Sequence, residues 1–100
     1  MGDFLEDCRR VTGSDARFVW VPSERLLAEG VGEWMELPLW LASPEFVGMH
    51  MADVSRAVAA GLRFRQVAET IAGAAEAPAK EGVGLAPERE AELLAAWHAR

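Results

Sequence analysis

The chain has 100 residues, enough for one small domain, and its hydrophobic share of 51% is typical of a globular protein and argues against disorder throughout. Its net charge is −6, with ten basic residues scattered between sixteen acids. A nucleic-acid-binding surface needs its basic residues gathered on one face, so we expect no nucleic-acid partner.

The sequence also indicates a soluble, cytoplasmic protein. Cys8 is the only cysteine, which excludes an internal disulfide and fits a reducing compartment. The acidic start of the chain lacks the pattern of a signal peptide. The longest apolar stretch, residues 37–42, is much shorter than the ~20 residues of a membrane helix, so we expect no membrane partner.

The first predicted element is a helix of about three turns. Asp3 and Glu6 have the spacing of a capping box, and Gly13 supplies a stop. Between them one helical face is apolar, formed by Phe4, Leu5, Cys8 and Val11.

Two strands are predicted downstream of this helix. Residues 17–21 are rich in β-favouring types and end at Pro22, which makes them the best strand candidate. Residues 46–51 are the second candidate. Residues 31–43 have no clean period and are predicted to form a packed loop, with a short extended piece at 37–41.

Two short helices are predicted from their start and stop signals. Ser23 is expected to cap a helix that Gly30 closes, and Asp53 to cap one that Gly61 ends.

The last third of the chain predicts two more helices joined by a linker. One helix covers residues 66–75, and the other begins at Pro87. Residues 74–84 between them are rich in Ala, Gly and Pro and read as a flexible linker. We therefore expect a single α+β domain over residues 1–100, with four or five short helices and two or three short strands.

Residues for nicotinamide chemistry are missing from the sequence. The chain has no tyrosine, and Lys80 is its only lysine. The glycine pairs at 30–32 and 82–84 lack the third glycine of a dinucleotide-binding turn. His50 and His98 have no second ligand at metal-binding spacing. We therefore expect no catalytic residue, no bound cofactor and no metal in this chain.

Three acids near the tryptophans could form a paired-carboxylate site of the glycosidase type: Glu33, Glu36 and Glu45. Nothing in the sequence sets their separation, and solvated loop acids explain them better. An independent small enzyme that uses Glu33, Glu36 or His50 is therefore the weakest hypothesis.

Four tryptophans are many for so short a chain, at positions 20, 34, 40 and 97. Packing in the core is the simpler explanation, because indole is usually buried. The alternative is that Trp34 and Trp40, with Met35 and Met49, line a pocket or a partner surface.

The order of segments resembles the C-terminal substrate-binding region of extended short-chain dehydrogenase/reductases, the NAD-dependent epimerase/dehydratase family. The matching segments are a first helix at residues 3–13, a following strand at 16–22, an Asp-x-Ser-Arg-Ala helix at 53–57, a Gly-aromatic link at 61–65 and a further helix at 67–71. Leu37-Pro38-Leu39-Trp40 is most similar to bacterial epimerase-like reductases. Gln66 departs from the pattern, since the family usually has proline there.

The resemblance implies a substrate-binding lobe without its Rossmann domain, so that NAD(P) would belong to the missing domain. It also implies a small-molecule substrate, often a nucleotide sugar. Trp34 and Trp40 are then candidates for lining the substrate pocket, and Arg63 and Arg65 for meeting an anionic group. Such a lobe would dock on a Rossmann-type chain or form a homodimer. The alternative function is an interaction module that dimerises or docks a partner through an exposed apolar face.

Overall fold

The computed structural model describes residues 1–100 and is built from helices. The five α-helices are α1 (Gly2–Thr12), α2 (Ser23–Ala28), α3 (Ser55–Ala59), α4 (Val67–Ala75) and α5 (Pro87–His98), and a 3₁₀ turn covers Pro44–Phe46. The chain divides into two compact units. Unit 1 comprises residues 1–18 and 53–79, and unit 2 comprises residues 19–52 and 80–100.

The predicted α+β fold is wrong, because the protein has no sheet. Its only β-type pairing is an isolated parallel bridge between Glu33 and Leu37. Residues 17–21 carry no regular structure, and residues 46–51 fold into turns that continue the 3₁₀ turn. A β-strand is stable only when a neighbouring strand pairs with its N–H and C=O groups, and neither segment has such a neighbour.

In unit 1, α1 packs against α4, and Ile71 of α4 is the buried residue of this unit. Gly13 ends α1 as predicted, with a left-handed φ of 65°. The predicted capping box is wrong: the helix begins at Gly2 with no side-chain cap. The Glu6 carboxylate instead lies 2.6 Å from Arg9 Nη2, one turn further along the helix.

The helix predicted after Asp53 is present but short. Asp53 Oδ1 accepts the N–H of Ser55, the first residue of α3, at 2.9 Å. This bond lowers the pKa of the Asp53 carboxyl, because it stabilises the charged form. Gly61 follows the helix with a φ of 110°, in the region that favours glycine.

In unit 2, the end of α2 is tied to α5. The N–H of Val31 bonds to the carbonyl of Leu26 at 3.0 Å, and Val31 is the buried residue of this unit. Arg89 of α5 donates through Nη2 to the carbonyl of Glu29 at 2.5 Å. The predicted Ser23 cap is wrong, because Ser23 is already helical and its hydroxyl bonds elsewhere.

The two C-terminal helices are confirmed. α4 starts at Val67, one residue after the predicted start, and α5 begins at Pro87 as predicted. The linker predicted at residues 74–84 overlaps the end of α4, which includes residues 74 and 75. Residues 76–86 form turns and irregular backbone, and the flexibility of the linker stays a prediction. None of the five helices has the length and apolar character needed to cross a membrane.

Candidate functional site

The candidate site is the segment 31–43 of unit 2, which we call the tryptophan loop. The carboxylate of Glu33 holds its two ends together. Oε1 accepts the N–H groups of Ala42 and Ser43, the latter at 2.6 Å, and Oε2 accepts the hydroxyl of Ser43 at 2.8 Å. The Ser43 hydroxyl, followed by the two N–H groups, lowers the pKa of the Glu33 carboxyl, although partial burial opposes this shift. Glu33 is therefore ionised and structural in this loop.

The backbone at Trp34 is strained. Trp34 has a φ of 64°, and the N–H of Met35 bonds to the carbonyl of Glu33 at 2.6 Å. This bond around a residue of positive φ is the pattern of the rare γ-turn. A bulky residue is an outlier in this region of φ. The loop nevertheless holds it there, with the N–H of Trp34 bonded to the carbonyl of Trp40 at 3.0 Å.

A second strained turn follows within the same loop. The N–H of Trp40 bonds to the carbonyl of Leu37 at 3.2 Å, and Leu39 has a φ of 69°. Proline at the second position and positive φ at the third are features of a type II turn, where glycine is the usual third residue. Strain of this kind persists only where the surrounding structure imposes it, and such sites are often functional.

The two indoles of the tryptophan loop differ, because that of Trp34 is exposed and that of Trp40 is hydrogen-bonded within the protein. Trp34 is 40% exposed and is stacked on the imidazole of His50, with ring centroids 6.3 Å apart and an angle of 21° between planes. Trp40 is half-buried and donates from Nε1 to the hydroxyl of Ser23 at 3.1 Å. Trp34 is therefore the indole that a ligand can reach, beside the exposed side chain of Met35.

The predicted arginines lie in the other unit, in the link between α3 and α4. Arg63 and Arg65 are both exposed, and Arg65 Nε donates to the hydroxyl of Thr70 at 2.9 Å. The four predicted substrate-binding residues thus belong to two units, the tryptophans to unit 2 and the arginines to unit 1. Within each unit, the predicted pair lies on one short segment of chain.

The sequence marks Glu33 and Glu36 as candidate acids but does not predict that they shape the loop. Glu33 and Glu36 were expected to be solvated, and this was wrong: Glu33 holds the loop ends, and Glu36 Oε2 accepts the N–H of Gly32 at 2.5 Å. No sequence signal marks these contacts, because the partners of Glu33 lie nine and ten residues away in a segment without periodicity. His50 belongs to the strand predicted at residues 46–51, and it instead stacks on Trp34.

Unit 1 contains a shallow, mostly apolar cavity of about 150 Å³ beside α1. Its lining includes Leu5 and Cys8 of α1 and Phe18, and the guanidinium of Arg9 lies 5.7 Å from the centre of the Phe18 ring. None of the four predicted binding residues lines this cavity. Cys8, on the apolar face of α1, is half-buried.

The exposed side of the tryptophan loop offers an indole, an imidazole and a thioether, from Trp34, His50 and Met35. Side chains of these types hold planar or apolar groups by stacking and dispersion. The chain matches no protein-family model, no curated protein and no solved structure.

Proposed function

We propose that this chain is a cytoplasmic substrate-binding lobe that works with a Rossmann-type polypeptide region, as the resemblance implies. NAD(P) would be held by that region, and this chain would bind the substrate. The observation that carries the proposal is the tryptophan loop, whose strained backbone at Trp34 is held by the Glu33 hydrogen bonds while the indole stays exposed.

The substrate class follows from the chemistry of the exposed groups. A flat aromatic base stacks well on indole, and one such contact in nucleic-acid complexes contributes about 1–3 kcal/mol. A nucleotide sugar has such a base. Trp34 and His50, both of unit 2, are the proposed platform for it. Arg63 and Arg65, in unit 1, remain separate candidates for an anionic group.

The test is isothermal titration calorimetry, in which a nucleotide sugar, UDP-glucose, is added to the full chain. We expect weak binding to the wild type and a loss of at least about five-fold in affinity for Trp34→Ala, corresponding to about 1 kcal/mol of lost stacking. Trp20→Ala is the matched control, because Trp20 is an exposed tryptophan of the same unit outside the loop.

Three results would contradict this proposal. Two concern UDP-glucose: binding that Trp34→Ala leaves unchanged, and no binding by the wild type. The third is micromolar affinity of the chain alone for NAD(P)H, since the chain lacks a glycine-rich phosphate turn and is proposed not to hold the cofactor.

A second candidate function, self-association as an interaction module, is favoured by the small core. Only Val31 and Ile71 are buried. Many large apolar side chains are exposed instead, among them Trp20, Met35, Val47, Met51, Phe64 and Val83. Soluble monomers rarely leave large apolar patches uncovered, so a second copy of the chain is the proposed cover. Light scattering across micromolar concentrations is the test, and a monomer at every concentration would contradict it.

A further inference from the structure

Residues 54–65 of unit 1 form a segment that is both basic and apolar, which we call the basic strip. It contains Arg56, Arg63 and Arg65 and no acid, in a chain with a net charge of −6. Its four large apolar side chains are all exposed, and Phe64, at 70%, is the most exposed of them: Val54, Val58, Leu62 and Phe64. Charge and apolar surface therefore coincide in one short stretch.

The basic strip does not serve the core of its unit. The helix within it, α3, packs on neither α1 nor α4. Of the large apolar residues of the strip, only Val58 lies within α3, since Val54 precedes the helix and Leu62 follows it beyond Gly61. The N–H of Leu62 bonds back to the carbonyl of Ala57 at 3.0 Å, which closes the turn at the end of the helix. Its apolar side chains are left for an external contact.

The charge of the basic strip is not neutralised within the chain. The four ion pairs of the structure use other arginines, namely Arg9, Arg10, Arg25 and Arg89. Arg65 bonds to the neutral hydroxyl of Thr70, and the neighbouring acid, Asp53, accepts the N–H of Ser55. Three guanidinium groups are thus available to an acidic partner.

We propose that the basic strip binds an acidic, apolar segment of another polypeptide. The strip offers alternating guanidinium and apolar groups over Leu62-Arg63-Phe64-Arg65, which complement carboxylates spaced by apolar side chains. Outside the strip the chain carries a large excess of acids. That excess repels an extended anionic surface such as a bilayer or a nucleic acid, while a short peptide can approach the strip alone. The inference needs neither a nucleotide sugar nor a second copy, although it uses Arg63 and Arg65, which are also the candidates for an anionic substrate group.

The test measures the fluorescence anisotropy of a labelled peptide of Glu-Leu-Gly repeats as the full chain is added. We expect binding that weakens as ionic strength rises from about 0.05 to about 0.5 M, because the salt screens the ion pairs. A counterpart of Lys-Leu-Gly repeats is expected not to bind. Arg63→Glu and Phe64→Ser should each weaken binding by about five-fold or more, the effect of about 1 kcal/mol at an exposed contact.

Arg17→Glu is the matched control, because Arg17 is an exposed arginine of the same unit outside the strip. It changes the net charge as Arg63→Glu does, so the proposal requires it to bind the Glu peptide like the wild type. If Arg17→Glu and Arg63→Glu lost affinity for the Glu peptide equally, binding would depend on the overall charge and not on the basic strip, and the proposal would be overturned.

Three other results would also overturn it. One is no binding of the Glu peptide by the wild type. The second is binding to phosphatidylserine vesicles that Arg63→Glu abolishes, in the absence of peptide binding, which would make the partner a lipid surface. The third is a dimer, detected by light scattering, that Arg63→Glu or Phe64→Ser dissociates, which would make the partner a second copy.

Discussion

Leu39 occupies a turn position whose backbone suits glycine, with a φ of 69°. An L-residue in the left-handed region costs about 1–2 kcal/mol, and glycine avoids this cost but loses about 0.5–1 kcal/mol more in conformational entropy on folding. Leu39→Gly and Leu39→Ala lose nearly the same side-chain contacts. The difference between their stabilities therefore comes from the backbone. The centres of the two ranges, about 1.5 and about 0.75 kcal/mol, leave the Gly variant more stable by about 0.5–1 kcal/mol.

The assay compares the thermal midpoints of Leu39→Gly and Leu39→Ala. For a domain of this size about 1 kcal/mol corresponds to about 4–8 °C, so the Gly variant should melt about 2–8 °C higher. Ala91→Gly in α5 is the control, because at an exposed helical position glycine lowers stability by about 1 kcal/mol. If Leu39→Gly melted at the same temperature as Leu39→Ala or at a lower one, the conclusion that the turn at Leu39 is strained would be wrong.

Two further predictions concern the buried residue of unit 1 and the carboxylate of unit 2. Ile71→Ala should lower the free energy of unfolding by about 2–4 kcal/mol, because Ile71 is the buried residue of unit 1. Urea denaturation measures this change, and an effect near zero would mean that α1 does not pack on α4 in solution. For Glu33, whose folded pKa lies below the ordinary 4.5, the carboxylate stabilises the loop fully above that value and loses this effect as the pH falls through the folded pKa. Glu33→Gln should therefore melt below the wild type near pH 7, and the two midpoints should converge as the pH falls through the folded pKa of Glu33. A difference independent of pH would contradict the role of the charge.

The helices could be predicted because their signals are local. The apolar face of α1, the stop at Gly13 and the proline that opens α5 all act within a few residues of the helix they define. The caps were less predictable. Ser23 and Asp3 are residues of capping type, yet neither caps a helix. Each helix begins earlier than expected, so both residues lie inside it. The hydroxyl of Ser23 instead accepts the indole N–H of Trp40.

The candidate site was predictable only in part. The unusual number of tryptophans makes Trp34 and Trp40 candidates for a binding site. Nothing in the sequence, however, distinguishes the exposed indole from the one that is hydrogen-bonded within the protein. That distinction depends on the bond from Trp40 to Ser23, seventeen residues away, and on the stacking of Trp34 against His50. Both contacts join segments that share no local pattern.

The sequence by itself determined where helices form and end, because each helix satisfies its hydrogen bonds within its own segment. Only the tertiary structure decided that residues 17–21 and 46–51 form no strand. A strand needs a partner from elsewhere in the chain, and here no segment pairs with either of them. The tertiary structure also decided that Glu33 holds the tryptophan loop closed, because a carboxylate accepts hydrogen bonds from whichever donors folding brings near it.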